Sequence, residues 1–352
     1  MKILILGGTG AMGVHLVELL KCTNRYEIHV TSRSQQGYID NVTYIKGNAK
    51  NKEFIRNILK NNWDIIVDFM VYTTLEFQDV SRVFLESCSQ YIYLSSARVY
   101  ADCENFITEE SPRLLDVVKD AEYLKTDEYA LSKARQENHL FDSSLNNWTI
   151  IRPYITYGKN RLQFGTLEKE SWLYRAMKNR TVLFSETIFH KETTLTSGFD
   201  VASGIISLIN KTSALGEVFH ITSNYSMKWG EVFGIYKNIF DINTNSELKL
   251  KLQTDSDFLK WNNGKYQIIH DRMYNRKFDN KKINEFIDTS KFINPEVGLA
   301  KCFSEFIKTP EYGYINWKSE ALKDKILNCN TSLSEITSIK QKINYILNRH
   351  IL

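Results

Sequence analysis

Near its start the chain runs from Lys2-Ile3-Leu4-Ile5-Leu6 straight into Gly7-Gly8-Thr9-Gly10-Ala11-Met12-Gly13. It continues into Val14–Lys21, where apolar residues recur at helical spacing. No other feature narrows the fold as much. A short buried strand, a turn lacking Cβ atoms and an opening helix must follow one another within about a dozen residues. The glycines fit both GxGxxG (Gly8, Gly10, Gly13) and GxxGxxG (Gly7, Gly10, Gly13). Glycine permits a tight turn and close approach of backbone to a pyrophosphate, and a helix N-terminus offers unpaired N–H groups to the anion. Gly7, Gly10, Ala11, Met12 and Gly13 are therefore expected to cradle the phosphates of a dinucleotide.

The strand–helix alternation continues. Residues 26–31, 43–46, 64–70, 91–95 and 148–152 read as strands, and 51–60, 76–88 and 126–141 as helices. Such alternation predicts an α/β fold, a Rossmann-type doubly wound parallel sheet over residues 1–158. After Pro153 the texture changes. Residues 159–195 and 223–317 are richer in Lys, Asn and aromatics and weaker in period, and read as a smaller, interleaved substrate lobe. Residues 196–222, with a helical 199–209 and a strand at 217–221, return to the sheet. Residues 318–352 read as a helical tail with Leu322, Ile326, Ile336, Ile339, Ile343 and Ile346 on its apolar faces.

Composition excludes several classes. At 43% hydrophobic the chain can bury a core, and a net charge of +4 is far from that of a dedicated nucleic-acid binder. Five scattered cysteines without a CxxC pair argue against a disulfide framework or zinc site and for a reducing cytoplasm. His139, His190 and His220 lack metal-ligand spacing, so no metal is expected. The aliphatic start breaks at Gly7 and is followed by His15 and Glu18, unlike a signal peptide. No run of about 18 apolar residues predicts a transmembrane helix. Neither a nucleic acid nor a membrane is expected as a partner.

The second strand ends Val30-Thr31-Ser32-Arg33-Ser34, with no acid to accept from the adenosine ribose hydroxyls. Arg33 between Ser32 and Ser34 suits a 2′-phosphate, which makes NADPH (NADP+) the expected cofactor. Asn48 falls where an adenine contact belongs, unless it serves only as a turn residue. Phe69 and Met70, ending strand 64–70, are counted with the cofactor site. Tyr129 and Lys133 lie four apart, on one helix face. An ammonium beside a phenol stabilises the phenolate and readies it for proton transfer. Ser96 follows strand 91–95 at the carboxyl edge, where it can orient a carbonyl.

The segments GGTGAMG, Ser95-Ser96-Ala97-Arg98-Val99-Tyr100, Tyr129-Ala130-Leu131-Ser132-Lys133 and Arg152-Pro153-Tyr154-Ile155-Thr156-Tyr157-Gly158 occur in this order. Together they resemble the extended short-chain dehydrogenase/reductase family, which acts largely on nucleotide-linked sugars. The resemblance implies catalysis by Ser96, Tyr129 and Lys133, with Lys133 also holding the nicotinamide ribose. Pro153 and Tyr154 would line the nicotinamide side. It also implies a possible homodimer through helices 76–88 and 126–141. The family's dehydratases carry an Asp-Glu pair where this chain has Ala97 and Arg98, so elimination of water is not expected. Within the family, GGTGAMG with the TSRS and GNAKN segments is most similar to bacterial reductases that form dTDP-D-fucose for surface polysaccharide. Ser96, Arg98, Tyr129, Lys159, Arg161, Arg272 and Arg276 are the candidates for contacting the sugar and its diphosphate. Alternatives are a 4-epimerase with tightly bound NAD and a non-enzymatic RNA-binding or regulatory protein.

Overall fold

A computed structural model of the chain describes residues 1–351. Eight strands form one sheet. In chain order they are β1 (Lys2–Leu6), β2 (Glu27–Ser32), β3 (Gly37–Ile39), β4 (Val42–Lys46), β5 (Trp63–Asp68), β6 (Cys88–Leu94), β7 (Trp148–Pro153) and the strand Glu217–Ile221. Across the sheet the order is β3-β4-β2-β1-β5-β6-β7, ending on Glu217–Ile221. Only the short β3 runs antiparallel, pairing Gly37 with Tyr44. Its three residues gave no readable period.

Alternating side chains explain why the strands read as continuous aliphatic runs. Ile3 and Ile5 join Val30, Ile65, Val67 and Ile92 in a core on one face, with Leu16 and Leu20 of α1 (Gly13–Lys21) and Val201 and Ile205 of the helix Gly198–Leu208. Leu4 and Leu6 join Ile66, Tyr91 and Tyr93 on the other, with Ile55 and Ile58 of α2 (Lys52–Ile58) and Leu140 of the helix Tyr129–Phe141. From β1 the chain winds outward through β2 to β4, then crosses back to β5 on the other side of β1. That reversal opens a crevice at the carboxyl ends of β1 and β5, where sheets of this kind take ligands.

The chain forms two compact units. The first holds residues 1–156, 194–226 and 276–295, and the second holds 157–193, 227–275 and the residues from 296 onward. Two boundaries differ from the sequence reading. Residues 276–295, expected in the lobe, return to the first unit. There the Asn280 amide bonds both the hydroxyl (2.9 Å) and the carbonyl (2.8 Å) of Thr222, Ile293 N–H donates to Asp200 (2.9 Å), and Ile283 enters the core. Residues 318–351 are not a separate tail. The helix Trp317–Leu327 lies in the second unit, where Glu320 and Asp324 pair with the buried Arg175 at 2.7 and 2.8 Å. The second unit also contains a parallel strand pair, Val182–Ser185 with Leu250–Gln253, and an aromatic core in which Phe164 stacks on Phe184 at 3.8 Å. The expected helix 76–88 is two short ones, Thr74–Gln78 and Ser81–Glu86.

Candidate active site

The glycine loop is built by backbone demands. Gly7 has φ +72°, a conformation that L side chains rarely adopt, and its N–H donates to Thr31 Oγ1 at 3.2 Å. A Cβ on Gly13 would lie 2.6 Å from the Gly8 Cα, so only glycine lets α1 start this close to the turn. Neither a side-chain cap nor an acidic first-turn residue satisfies the N-terminus of α1. Its open amides and positive dipole end suit an anion.

Beside the loop lies a cavity of about 480 Å³, lined by Gly7, Thr9, Gly10, Thr31, Ser32, Arg33, Gly47, Asn48, Ala49, Lys50, Met70 and Val71. Its size suits part of a dinucleotide. No carboxylate lines it. Arg33 and Lys50 bring two cations, and Lys50 also reaches Glu76 at 3.5 Å. Lys50 escaped sequence reasoning because a lone lysine after a turn carries no signal. Ser32 turns its hydroxyl onto the N–H groups of Ser34 and Gln35 (3.3 and 3.0 Å), bending the loop that carries Arg33. Asn48 Oδ1 accepts from Lys50 N at 3.0 Å, the turn role, while the residue also lines the cavity. Phe69 is half-buried against the core. The cation-lined cavity and the Cβ-free glycine loop suit the anionic part of a dinucleotide.

At the carboxyl end of β6 two serines take different roles. Ser95 donates to Glu137 at 2.6 Å, and Glu137 is gripped by Arg152 at 2.8 Å through both oxygens and by Arg113 at 3.2 Å. This buried cluster pins the Tyr129–Phe141 helix to the sheet. Ser96 instead starts the turn Ala97–Val99, accepting from Arg98 N at 3.2 Å. That turn packs against the Tyr129–Phe141 helix, which opens at the half-buried Tyr129 and carries Lys133 one turn on.

Lys133 is 2% exposed. Its ammonium donates to Leu94 O at 2.6 Å and Tyr93 Oη at 3.1 Å. Burial pushes it down to about 8, opposed by the charges of Asp68 and Glu137. Asp68, fully enclosed at the end of β5, accepts from Tyr91 Oη (2.8 Å), Tyr72 Oη (3.1 Å) and Met70 N (2.8 Å). Burial pushes its carboxyl up to about 6, against those hydrogen bonds and the Lys133 charge. Asp68 was missed by sequence reasoning. Its one signal is an acid directly after the aliphatic run Ile65-Ile66-Val67.

Arg98 does not point into solvent. It pairs with Glu128 at 2.6 Å, and its guanidinium carbon lies 5.3 Å from the Tyr129 ring centroid. Glu128 also caps the helix by accepting from Ala130 N at 2.8 Å, and accepts from Tyr123 Oη at 3.2 Å. Two expected diphosphate ligands are enclosed. Arg276 donates to Tyr100 O and Ala101 O at 3.0 Å each, and Arg272 donates to Gly165 O at 3.0 Å and pairs with Asp271. Both guanidiniums are already partnered in this interior, Arg276 by two backbone carbonyls and Arg272 by Gly165 O and the Asp271 carboxylate. Lys159, exposed, and Arg161, half-buried, lie in the second unit. Pro153 ends β7, and Tyr154 is buried against Phe278. Among the described residues no cluster of three or more His, Cys, Asp or Glu is placed to hold a metal.

Strand order, glycine loop and a helix-borne Tyr–Lys pair place the chain among the Rossmann-type nucleotide-binding proteins. More narrowly, residues 3–221 match the NAD dependent epimerase/dehydratase family, to which the chain belongs. A dTDP-glucose 4,6-dehydratase from Bacillus anthracis, solved with NAD, shares its fold with a TM-score of 0.66 at 18% identity, over 89% of this chain and 98% of that one. A UDP-glucuronic acid 4-epimerase from Bacillus cereus, also with NAD, gives 0.66 at 13% identity, over 88% and 98%. In sequence, the chain is similar to chloroplast stem-loop binding protein of 41 kDa b from Arabidopsis thaliana, 24% identical over 238 residues. That match spans 63% of this chain and 58% of the relative's length.

Proposed function

We propose that the chain is an NADPH-dependent reductase of the 4-keto group of a nucleotide-linked 4-keto-6-deoxy sugar, forming dTDP-D-fucose from dTDP-4-dehydro-6-deoxyglucose. One observation carries this reading: the Tyr–Lys helix stands with a cofactor cavity that holds two cations and no carboxylate. Arg33 and Lys50 suit a 2′-phosphate. Bound NADPH supplies the hydride to the carbonyl carbon. Tyr129 donates a proton to the nascent alkoxide, and Ser96 hydrogen-bonds the same oxygen. Lys133, kept cationic by Asp68 and Glu137, favours the phenolate left on Tyr129 and lies where the nicotinamide ribose belongs. Lys159 and Arg161 are the cations we assign to the diphosphate.

Dehydration needs an acid and a base beyond Ser96. Ala97 has neither, a guanidinium such as that of Arg98 has no acceptor to serve as a base, and the nearby carboxylate of Glu128 is committed to Arg98, Ala130 N and Tyr123. The test is incubation with NADPH and a panel of dTDP-, GDP- and UDP-linked 4-keto-6-deoxy sugars, followed by mass spectrometry. The expected product gains two hydrogens with stoichiometric loss of NADPH, and a 6-hydroxylated NDP-glucose loses no water. Tightly retained NAD with sugar interconversion and no net NADPH use would favour a 4-epimerase instead.

The similarity to a stem-loop binding protein supports a second reading, an RNA-binding protein that keeps the nucleotide fold. Tight, salt-sensitive binding of a stem-loop RNA, unaffected by Tyr129→Phe and without turnover of any sugar in the panel, would favour it.

A further inference from the structure

The segment after Glu335 contains Ile336, Ile339, Ile343, Ile346, Leu347 and Ile351, the cations Lys340, Lys342 and Arg349, and no Asp or Glu. It forms a helix, Ile339–Ile346, that continues as a wider turn over Leu347–Ile351. Helical period predicts that the isoleucines face the core. Ile336, ahead of the helix, is buried, but within the helix the structure does the reverse. Tyr345 and Asn348 are buried at 2% and 5% exposure, whereas Ile339 and Ile351 are 75% and 70% exposed, Ile343 54%, and Ile346 and Leu347 nearly 40%.

Buried polar anchors fix this orientation. Tyr345 Oη donates to Asp324 at 2.7 Å and accepts from Thr331 N at 2.8 Å, Asn348 is enclosed, and Arg349 Nε donates to Cys329 O at 2.9 Å. Asp324 is itself held by Arg175 and by Thr331 Oγ1 (2.7 Å). Turning the helix over would strip hydrogen bonds from a buried carboxylate and leave it under-partnered. The aliphatic stripe is therefore built to face outward.

We propose that this stripe seats the protein on an anionic lipid surface. At about 100° per residue over Ile339–Ile346, Ile339, Ile343 and Ile346 share an arc of about 60°, and the exposed Leu347 follows directly on it. Lys340 flanks it on one side and Lys342 on the other, while Arg349 turns inward to Cys329. Among the described residues neither lysine has an ion-pair partner. An apolar stripe edged by cations is the pattern of a helix lying in a membrane interface, aliphatics in the acyl boundary and ammonium groups reaching lipid phosphates. Charge pattern decides among occupants. A second copy docking through the same stripe would bring two rims edged by Lys340 and Lys342 together, with no Asp or Glu in the segment to pair them. No helix among the described residues is long and apolar enough to cross a membrane. A helix lying on a lipid surface needs no spanning segment.

The test is flotation of the full chain with vesicles of phosphatidylcholine alone or mixed equally with phosphatidylglycerol, at low and high salt. The expected result is binding to the mixed vesicles, weakened by salt, and at least about tenfold weaker on neutral ones. Ile343→Asn with Leu347→Asn should abolish it. Lys340→Glu with Lys342→Glu should lower it by more than about fivefold per lysine. Both pairs change solvent-facing side chains, and circular dichroism confirms that each variant is folded. Equal binding to both vesicle types, no binding to either, or retention after loss of Ile343 and Leu347 overturns the proposal. So does a dimer in sedimentation velocity that Ile343→Asn dissociates, because a second copy would then own the stripe.

Discussion

Two helices of this chain bury polar side chains, for different ends. The Tyr129–Phe141 helix encloses Lys133, Gln136 and Glu137, while Ile339–Ile346 encloses Tyr345. In the first, the buried groups include the Lys133 ammonium, pushed down to about 8 by burial and one turn from Tyr129. In the second, neutral groups meet one carboxylate, Asp324, already paired with Arg175. The outward faces differ as well, with isoleucines exposed only on the second. We read the buried charge of the first helix as serving the proposed chemistry, and the buried hydroxyl and amide under the exposed apolar stripe of the second as anchoring the proposed surface.

The largest effect belongs to the chemical helix. Tyr129→Phe removes a proton donor and no packing volume, so kcat should fall by about 10²–10⁴-fold. NADPH affinity, measured by fluorescence titration, should stay nearly unchanged. Full turnover in this variant would show that the buried charge of this helix serves only structure.

The anchoring helix should respond in stability instead. Asp324→Asn leaves the Arg175 guanidinium under-compensated and loosens the contacts of Tyr345 and Thr331. Losing one partner of a buried ion pair costs about 3–5 kcal/mol. Denaturant unfolding should show a loss of that order, with the KM for sugar unchanged in whatever fraction remains folded. A stable variant with a raised KM would move this cluster into the site.

Arg33→Ala tests the cofactor end. An exposed guanidinium that grips a 2′-phosphate contributes about 1.5–3 kcal/mol through charged hydrogen bonds. The preference for NADPH over NADH should fall about 10- to 100-fold, read from the ratio of the two kcat/KM values. Equal affinities in the unmodified protein would remove the basis for the assignment.

The legible parts of this molecule were local. The glycine loop announced itself because Gly7 and Gly13 answer backbone constraints within seven residues. The strands of the sheet announced themselves because both of its faces are covered. What stayed hidden depended on neighbours distant in sequence. Nothing near Arg276 says that its guanidinium ends on the carbonyls of Tyr100 and Ala101. Ser95 and Ser96 are indistinguishable until Glu137 claims the first. Period located an amphipathic helix at Ile339 but not which face turns inward, because that choice rests on Asp324 and Arg175. Asp68 belongs to the same class, since only the pairing of β5 with β6 brings Tyr91 to it.

Asp68→Asn gives the finest test, because it changes the charge beneath Lys133 while keeping shape. Lys133 is held down at about 8 by burial and held up by Asp68. If its ammonium supports Tyr129, kcat/KM for reduction should fall as pH rises through about 8. Removing the Asp68 charge withdraws the upward influence, so this limb should move to lower pH. Stability gives a second readout of known sign. The folded-state value of Asp68, about 6, lies above the ordinary 3.8. Its contribution to stability is thus fully present below about pH 4 and lost as pH rises through about 6. The asparagine variant lacks this dependence. The stability of the parent relative to the variant should therefore decline between those pH values, as unfolding midpoints at pH 4 and pH 7 would show. A shifted stability difference with an unmoved catalytic limb would make Asp68 a packing residue, and the buried charge of the first helix would then resemble that of the second.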